Sequence, residues 1–215
     1  MRIRNVKNKL EIMENSSYFL KNPKDYCGHF EDLFPRKQPL YIEIGMGKGK
    51  FLLENAKAHP EINFIGIEKQ DSVIALALKK MDEEVLDNLF IICINALDIS
   101  DIFLHEVDRL YLNFSDPWPK SRHHARRLTS KIFLDKYDTI FRKDATIYLR
   151  TDNEGLFAYS LESLSQDGYI FDTVSLDLHE RENLITTEYE DKFSASGIKI
   201  KGLIAHKCSQ DTSNN

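Results

Sequence analysis

The sequence predicts an α/β fold in which a mostly parallel sheet carries helices on its faces. Short apolar runs alternate with helical segments from residue 40 to residue 166, and two further predicted strands follow at about 169–175 and 199–205. Strands that alternate with helices are typical of parallel sheets, because a parallel neighbour is reached only through a long crossover connection. The 215 residues are enough for one domain with a substantial core.

The first predicted strand, Leu40 to Ile44, runs directly into a glycine-rich turn. The turn has the pattern G-x-G-x-G at Gly45, Gly47 and Gly49, and a predicted helix follows at residue 51. Residues without a Cβ let the chain turn sharply and let a ligand lie against the backbone. The helix N-terminus beyond them offers unpaired N–H groups. A glycine-rich loop alone is a weak signal, since purely structural turns have the same composition.

The second predicted strand, residues 63–67, favours the ligand interpretation because it ends at Glu68. An acid at this distance from the glycines is placed to accept hydrogen bonds from both ribose hydroxyls of a nucleoside. Glu43, in the first strand, is a poor neighbour for a pyrophosphate, and the phosphate-loop pattern G-x-x-x-x-G-K-[ST] is absent. A carboxylate suits a cationic ligand. We therefore expect the nucleoside to be S-adenosylmethionine, which carries a sulfonium and an ammonium group.

The remaining elements continue the alternation of strand and helix. They are helices at about 71–85, 129–141 and 154–166 and strands at 89–94, 109–114 and 145–149. Thr129 is the predicted N-cap of the second of these helices. The strand at 89–94 leads into Asn95 and Ala96, whose amide and adjoining backbone match an adenine edge. An asparagine in an ordinary loop turn is the alternative.

Polar side chains follow the predicted strands at comparable positions. Glu43, Glu68, Asn95, Asp116 and Asp152 all lie at or just past strand C-termini. In open α/β sheets, ligands bind beyond the carboxyl ends of the strands, where the strand order reverses. The coincidence predicts that these residues belong to a single site.

The net charge of −5 argues against a nucleic-acid partner only if the chain is taken as a whole. Eight basic residues stand against two acidic ones between Pro119 and Lys143, and residues 1–10 carry four basic residues and no acidic one. An acidic protein with such basic stretches can hold a polyanion on one face. The charge distribution therefore permits an RNA partner.

Several other features limit the class of protein. No apolar run approaches the roughly 20 residues of a membrane span, and residues 1–4 lack the apolar stretch of a signal peptide. The cysteines Cys27, Cys93 and Cys208 are scattered, so neither structural zinc nor a disulfide framework is expected. The sequence predicts a cytoplasmic protein with no membrane or metal partner, and it leaves monomer and homodimer open.

We predict three segments. Residues 1–35 form a basic N-terminal arm, residues 36–207 form the folded domain, and residues 208–215 form a disordered tail. The arm has two interpretations of equal weight. It is either a disordered or surface-draped terminus or a basic arm that closes over RNA.

The loop Asp116-Pro117-Trp118-Pro119 lies where a catalytic loop is expected. Its prolines make the backbone nearly rigid, and the single tryptophan places a flat face next to a carboxylate. A proline-rich turn with a buried tryptophan is the alternative. The cationic run from Lys120 to Arg127 follows, and its position favours phosphate contacts over the usual solvated face. His123 and His124 lack the spacing of a metal site.

Five motifs occur together between about Tyr41 and Lys201: E-I-G-M-G-K-G, the strand-ending Glu68, S-D-P-W-P-K with the R-H-H-A-R-R run, R-T-D-N, and T-E-Y-E. In this combination the chain resembles the bacterial tRNA (guanine-N7-)-methyltransferase family. The resemblance implies that residues 36–207 are a Rossmann-like class I methyltransferase domain with a seven-stranded sheet. It also implies that S-adenosylmethionine is used to methylate the variable-loop guanine at tRNA position 46.

The resemblance and the strand pattern together give an expected role to each candidate residue. The predicted cofactor site consists of Glu43, Gly45, Gly47, Gly49, Glu68, Asn95, Ala96 and Asp116. The resemblance assigns the substrate guanosine to Lys120, Asp152, Thr187, Glu188, Tyr189 and Glu190. It assigns tRNA contact to Arg122, His123, His124, Ala125, Arg126 and Arg127.

The expected chemistry needs no base, because guanine N7 has a lone pair and no hydrogen. The protein must align N7 with the methyl group and stabilise the purine as it becomes cationic. Asp116 is the predicted catalytic residue, as the bidentate acceptor for guanine N1–H and N2–H₂.

Two alternative functions remain. One is an amino-group methyltransferase acting on DNA or protein, since D-P-W-P is similar to a D-P-P-Y loop. The other is a non-catalytic RNA-binding protein that keeps the fold.

Overall fold

The computed structural model describes residues 6–178, 184–194 and 196–208. Within these residues the chain forms six α-helices and seven strands. In chain order they are α1 (Lys9–Asn15), β1 (Leu40–Ile44), α2 (Lys50–Ala58), β2 (Asn63–Glu68), α3 (Asp71–Met81), β3 (Leu89–Cys93), β4 (Arg109–Asn113), α4 (Lys131–Ile140), β5 (Ala145–Thr151), α5 (Glu154–Gln166), β6 (Ile170–Ser175), α6 (Glu188–Ser194) and β7 (Lys201–Lys207). Short 3₁₀ helices cover Pro23–Tyr26, Phe30–Leu33, Ala96–Asp101 and Ser121–Arg126.

The described strands form one sheet in the order β3-β2-β1-β4-β5-β7-β6. Strands β1 to β5 run parallel, and β7 is antiparallel to both of its neighbours. Ile42 of β1 lies opposite Ile65 of β2 on one side and Leu110 of β4 on the other. The strand order therefore reverses between β1 and β4, and the carboxyl ends of the parallel strands meet at one edge. The predicted α/β class with a mostly parallel seven-stranded sheet is confirmed.

The central strands are apolar on both faces because helices cover both. All six residues of β2 are buried. Phe64 packs in a cluster with the side chains of α2 and α3, whereas Ile65 packs in the cluster that contains the side chains of α4 and α5. Neighbouring residues of one strand thus serve opposite faces, as the pleat requires. The result is a three-layer arrangement that leaves the sheet edge open for a site.

The described part of the N-terminal arm packs against the sheet. The backbone of residues 18–20 pairs with β3 through Ile91, whose N–H donates to Tyr18 O at 2.7 Å. Further on, the buried Glu106 carboxylate accepts hydrogen bonds from Gly28 N at 2.9 Å and Phe30 N at 2.8 Å. The side chain of Phe30 is completely buried. Residues 6–35 and the domain therefore share one core, whereas Arg2 and Arg4, with residues 209–215 of the predicted tail, lie outside the described residues.

Element boundaries differ from the sequence prediction at informative places. Ser130, not Thr129, precedes α4. The Thr129 hydroxyl is instead within 2.8 Å of Ser160 Oγ, so it links the segment before α4 to α5. Strand β5 continues to Thr151, two residues beyond the predicted end, and α6 lies in a segment for which no helix was predicted. None of the helices in the described part of the chain has the length and apolar content needed to cross a bilayer.

Candidate active site

A cleft of about 570 Å³ opens at the carboxyl edge of the sheet. Gly45 lines it after β1, Glu68 at the end of β2, Asn95 after β3 and Asp116 after β4. Its position coincides with the reversal of strand order between β1 and β4, which is where open α/β sheets bind ligands. Four predicted site residues, separated by up to 71 positions in the sequence, thus share one cavity.

Glu68 uses one carboxylate oxygen to hold the local backbone. Its Oε1 accepts hydrogen bonds from Lys69 N at 2.8 Å and from Gln70 N at 3.0 Å. The other oxygen, Oε2, makes no hydrogen bond within the described residues. Two backbone donors fix the orientation of the carboxylate, so its second oxygen is a preoriented acceptor for a ligand.

Asn95 caps a turn and also lines the cleft. Its Oδ1 accepts a hydrogen bond from Leu97 N at 3.0 Å, at the start of the 3₁₀ helix Ala96–Asp101. With the oxygen occupied, the side-chain NH₂ group is the part that can face a ligand. Ala96 lines the cleft beside it. The two interpretations of Asn95 made from the sequence are compatible, and the adenine contact stays a prediction.

The glycine-rich turn is fastened to β2. Gly45 N and Met46 N both donate to Ile67 O, at 2.8 Å and 3.1 Å. Gly47 does not line the cleft, and Gly49 has a separate reason to be glycine. Its φ is +75°, and a Cβ at this position would lie 2.5 Å from the Met81 side chain on α3. Gly49 therefore permits α2 to pack closely on α3, while Gly45 forms part of the cleft wall.

Glu43 comes directly before the cleft-lining Ile44 and is not itself part of the cleft wall. The side chain is buried, and its Oε1 accepts a hydrogen bond from Asn113 Nδ2 at 2.8 Å. Burial raises the pKa of Glu43 to about 7, although the hydrogen bond from Asn113 acts in the opposite direction. Within the described residues, Glu43 Oε2 and Asn113 Oδ1 are buried without a hydrogen-bond partner. Two such acceptors favour a nearby cation or hydrogen-bond donor.

The loop after β4 has an uncommon backbone. Phe114 and Trp118 have positive φ angles of 52° and 41°, which bulky residues seldom adopt unless their surroundings enforce it. Between them, Asp116 is exposed, and its carboxylate makes no hydrogen bond to any described residue. The loop therefore presents an unpaired carboxylate at the cleft.

The cationic run divides into an exposed part and a buried part. Lys120, Arg122 and Arg126 are exposed, and the Arg126 guanidinium lies 4.8 Å from the centre of the Trp118 ring. Ala125 and Arg126 also line the cleft. His123 packs edge-on against the Trp118 ring, with the ring centres 5.7 Å apart, and His124 packs against Tyr159.

Arg127 is the buried member of the run. Only 4% of it is exposed. Its guanidinium donates to Pro117 O at 2.8 Å and to Trp118 O at 3.3 Å. A side chain enclosed in this way does not present its charge to a phosphate at the surface. The predicted tRNA contact of Arg127 therefore does not fit the structure, because the residue faces inward to the loop.

The T-E-Y-E motif is a helix N-terminus. Thr187 Oγ1 accepts a hydrogen bond from Glu190 N at 3.0 Å, and Glu190 Oε2 accepts one from Thr187 N at 3.4 Å. This reciprocal pair is a capping box, which satisfies two N–H groups at the start of α6. Two of the four residues of this motif, Thr187 and Glu190, are thus buried in the helix cap, and Glu188 and Tyr189 are the more accessible members.

Ion pairs attach α6 to three other elements. Arg150 Nη1, near the end of β5, donates to Ile185 O at 2.7 Å and lies 3.2 Å from Glu190 Oε2. Lys80 of α3 pairs with Glu188 at 2.7 Å. Lys50 of α2 pairs with Asp191, and its hydrogen bond is the main cause that lowers the pKa of the Asp191 carboxyl.

An aromatic stack joins α6 to the loop after β4. The Tyr189 ring stacks on Phe193 with centres 4.1 Å apart and lies 4.9 Å from the Phe114 ring. The Tyr189 hydroxyl donates to Asp152 Oδ2 at 3.4 Å. Partial burial raises the pKa of Tyr189, and the neighbouring Asp152 raises it further. The stack therefore places Asp152 and Tyr189 together, close to the end of β4.

The predicted site residues fall into two groups. Gly45, Glu68, Asn95, Ala96, Asp116, Ala125 and Arg126 line the cleft. Glu43, Gly47, Gly49, Lys120, Arg122, His123, His124, Arg127, Asp152 and Thr187–Glu190 do not. The sequence prediction gave no site role to Asn113, Phe114 or Arg150, although Arg150 begins the R-T-D-N motif, because their partners are distant in the chain. Among the described residues, no group of three or more His, Cys, Asp or Glu side chains is arranged to hold a metal ion.

Comparison with known sequences gives a consistent result. Residues 37–203 match the family model described as "Putative methyltransferase". The chain is 49% identical over 192 residues to a tRNA (guanine-N(7)-)-methyltransferase from Bacillus cytotoxicus, with 88% of each chain covered. It is 45% identical over 211 residues to a protein of the same name from Lacticaseibacillus casei, with 96% of this chain and 99% of the relative covered.

Solved structures with a similar fold are more distant in sequence. The 16S rRNA methyltransferase KamB matches with a TM-score of 0.62 at 14% identity, covering 84% of this chain and 93% of that one. A 16S rRNA (adenine(1408)-N(1))-methyltransferase from Catenulisporales acidiphilia, solved with its cosubstrate SAM, matches with a TM-score of 0.56 at 13% identity. That alignment covers 100% of this chain and 96% of the other. These neighbours confirm the predicted Rossmann-like class I methyltransferase fold.

Proposed function

The chain belongs to the tRNA (guanine-N(7)-)-methyltransferase family, and on that premise we propose how its residues carry out methyl transfer. The protein uses S-adenosylmethionine to methylate N7 of guanine in tRNA. One structural observation carries the assignment of roles. A single cleft at the switch point of the sheet is lined by both Glu68 and Asp116, and each presents a carboxylate oxygen that no described residue occupies.

The residues of the cleft fit S-adenosylmethionine. Glu68 Oε2 would accept hydrogen bonds from the ribose hydroxyls, because Oε1 is already held by backbone N–H groups. Asn95 and Ala96 would meet the adenine. The buried acceptors of Glu43 and Asn113, which adjoin the cleft-lining Ile44 and Phe114, would favour the positively charged end of the cofactor. When bound, the cofactor supplies an electrophilic methyl group.

Asp116 orients and stabilises the guanine. The guanine Watson–Crick edge has two adjacent donors, N1–H and N2–H₂, and a free carboxylate accepts both. Adenine has an acceptor at N1, so the same carboxylate disfavours it. As N7 becomes alkylated the ring turns cationic and N1–H more acidic, so the contact strengthens in the transition state. No residue needs to remove a proton before the transfer.

The other face of the site receives the guanosine and the surrounding tRNA. Asp152 and Tyr189 are hydrogen-bonded to each other beside Phe114, and Lys120 with Glu188 completes the proposed guanosine contacts. Thr187 and Glu190 act through the helix cap. The exposed Arg122 and Arg126, with His123, His124 and Ala125 between them, would meet the phosphate backbone. We assign the reaction to the variable-loop guanine at position 46 and to the cytoplasm.

Nucleoside analysis tests the proposal directly. The protein is incubated with S-adenosylmethionine and an unmodified tRNA transcript that has guanine at position 46, and the digested nucleosides are identified by mass spectrometry. We expect 7-methylguanosine in this transcript and none in a matched transcript with adenine at position 46. Methylation of both transcripts would contradict the assigned position. Methyl groups on DNA or protein amines, or tRNA binding without methyl incorporation, would overturn the assigned reaction.

A further inference from the structure

We propose that Arg127 is a positioning residue for catalysis, which holds the D-P-W-P loop so that the Asp116 carboxylate meets the guanine. This inference deepens the proposed function and rests on it. It replaces the tRNA contact expected from the position of Arg127 in the cationic run.

The guanidinium of Arg127 spans two consecutive carbonyl groups of the loop. Nε donates to Pro117 O at 2.8 Å, and Nη2 donates to Trp118 O at 3.3 Å. The face of the same group lies 4.4 Å from the centre of the Tyr159 ring on α5. A planar fork of donors is specific to arginine. The side chain therefore links the loop directly to a helix of the domain.

The loop needs such a link because its own backbone makes few bonds. Pro117 and Pro119 have no N–H group. Across residues 115–119, no backbone group is hydrogen-bonded to another backbone group of the described chain. Trp118 also holds a left-handed φ of 41°, which persists only where surrounding contacts enforce it. Arg127 donates to the carbonyl group before Trp118, Pro117 O, and to the carbonyl group of Trp118 itself. These groups belong to the first and second residues after Asp116.

The burial of Arg127 supports a specific role. A charged group taken out of water is unfavourable unless it is well paired. Within the described residues Arg127 has no carboxylate partner, and its charge faces only the two carbonyl dipoles and the Tyr159 ring. An apolar side chain would fill the same space at lower cost in solvation, but it could not hold the loop. The adjacent Arg126 differs, since it is exposed and lies over the Trp118 ring.

The test compares Arg127→Lys and Arg127→Gln with Arg126→Gln and with Arg36→Lys, an exposed arginine paired with Asp87 outside the site. Lysine keeps the charge of Arg127 but lacks the planar fork. We expect both Arg127 variants to lower kcat at saturating tRNA by roughly 10- to 100-fold, the scale of a small misplacement of a catalytic group. The tRNA KM and its salt dependence should stay as in the parent. Arg126→Gln should raise the tRNA KM and reduce the salt slope, and Arg36→Lys should match the parent.

Trp118 is the only tryptophan, so its fluorescence reports the loop itself. A changed emission spectrum or faster quenching by acrylamide is expected in the Arg127 variants and not in Arg36→Lys. Thermal unfolding of each variant shows that the domain is intact. Tyr159→Leu removes the ring against the guanidinium while keeping Arg127. It should also lower kcat, by a smaller factor than the Arg127 variants. This variant tests the proposal even if an Arg127 variant does not fold.

Arg127→Lys could instead raise the tRNA KM and reduce its dependence on salt while leaving kcat as in the parent. That result would show a phosphate contact and overturn the proposal. Parental values of both constants and of the fluorescence would overturn it as well. The parent protein is assayed on tRNA in the same series. An inactive parent contradicts the proposed function, whereas an active parent with fully active Arg127 variants contradicts only the role of Arg127.

Discussion

The cleft and the neighbouring surface assigned to the substrate are held in place by different kinds of contact. We call the first the cofactor wall, and the second, which lies outside the cleft, the substrate wall. The cofactor wall, formed by Gly45, Glu68 and Asn95, is fixed by hydrogen bonds to residues one or two positions away or to the adjacent strand. The substrate wall, formed by α6 and Asp152, is fixed by side chains far away in the sequence. Its ion pairs span 40 positions for Arg150–Glu190, 108 for Lys80–Glu188 and 141 for Lys50–Asp191.

This difference has a physical consequence. These backbone bonds form within or between adjacent elements, so the cofactor wall is complete once β1, β2 and β3 are in place. The substrate wall forms only when α2, α3 and β5 are assembled around α6. Two of its three ion pairs are partly exposed and are weakened by salt. We expect the substrate wall to open more readily than the cofactor wall, because contacts of this kind belong to the less stable regions of a fold.

The largest expected effect lies where the two walls meet. Asp116→Asn keeps the shape of the side chain but replaces one acceptor oxygen with a donor and removes the charge. We predict a fall in kcat on tRNA of about 10²-fold or more, the scale of losing one key electrostatic contact. Affinity for S-adenosylhomocysteine, measured by calorimetry, should stay near that of the parent, which would place Asp116 with the substrate wall.

Glu83→Gln is the matched control for Asp116→Asn, because Glu83 is an exposed carboxylate away from the cleft. Its kcat should equal that of the parent. A parental kcat in Asp116→Asn would refute the role given to this carboxylate. A large loss of cofactor affinity would move Asp116 to the cofactor wall.

The next effect concerns Glu43, the buried carboxyl group next to the cofactor wall. Glu43 has a folded-state pKa of about 7, above its ordinary value of 4.5. Between these values the folded protein keeps a proton that the unfolded chain releases, so the free energy of unfolding falls as the pH rises from 4.5 to 7. The contribution is roughly 3 kcal/mol.

Glu43→Gln removes this titration and keeps the size of the side chain. The free energy of unfolding of the variant, minus that of the parent, should therefore increase by roughly 3 kcal/mol from about pH 4.5 to pH 7 and then level off. Urea unfolding at a series of pH values measures this difference. A difference that is independent of pH would mean that the Glu43 carboxylate is solvated.

A smaller effect is expected for Glu68→Gln. Glutamine can keep Oε1 as the acceptor for Lys69 N and Gln70 N, so the local turn is retained while Oε2 becomes a donor. The lost hydrogen bond to a ribose hydroxyl is worth about 1.5 kcal/mol, or roughly a tenfold loss of affinity for S-adenosylhomocysteine. The tRNA affinity should not change. Equal cofactor affinity in calorimetry would remove Glu68 from the ribose site.

The cofactor wall could be predicted from the sequence because its positions follow from the strand pattern. Glu68 and Asn95 of this wall, and Asp116 beside it, each stand at the end of an apolar run, and parallel strands bring such ends to one edge. Glu43 was predicted at the same edge, but the alternation of β1 turns its side chain into the core, where Asn113 meets it across 70 positions. No local pattern contains that pairing.

The residues of the substrate wall were predicted from the sequence, but the helix that carries most of them was not. T-E-Y-E has the capping-box pattern S/T-x-x-E, which would have predicted the start of α6, but a seven-residue helix with three acids in its first turn carries little periodicity. Arg127 shows more clearly what could not be predicted from the sequence. A charged residue inside a charged run gives no sign of burial, and its orientation is decided by the loop carbonyls it meets after folding.

The smallest expected effect concerns Glu188 of the substrate wall, and it distinguishes a structural ion pair from a contact with the guanosine. Glu188 pairs with Lys80, and the family resemblance also assigns it to the guanosine. An exposed pair of this kind contributes about 0.5 kcal/mol. Lys80→Gln should therefore raise the tRNA KM by only about twofold, and this increase should shrink at high salt because the pair is already screened.

A double-mutant cycle with Glu188→Gln distinguishes the two roles. If Glu188 serves only to bind Lys80, Glu188→Gln has no further effect on kcat/KM in a protein that already carries Lys80→Gln. The coupling energy then equals the whole effect of either single substitution. If Glu188 also contacts the guanosine, Glu188→Gln lowers kcat/KM further in the Lys80→Gln background than the ion pair alone can explain. We expect the second result, because the carboxylate of Glu188 is only partly covered by Lys80 and Tyr189, the next residue, is bonded to Asp152 at the same face. Complete coupling between the two substitutions would instead make Glu188 a structural tether, leaving Tyr189 and Asp152 as the guanosine contacts on this wall.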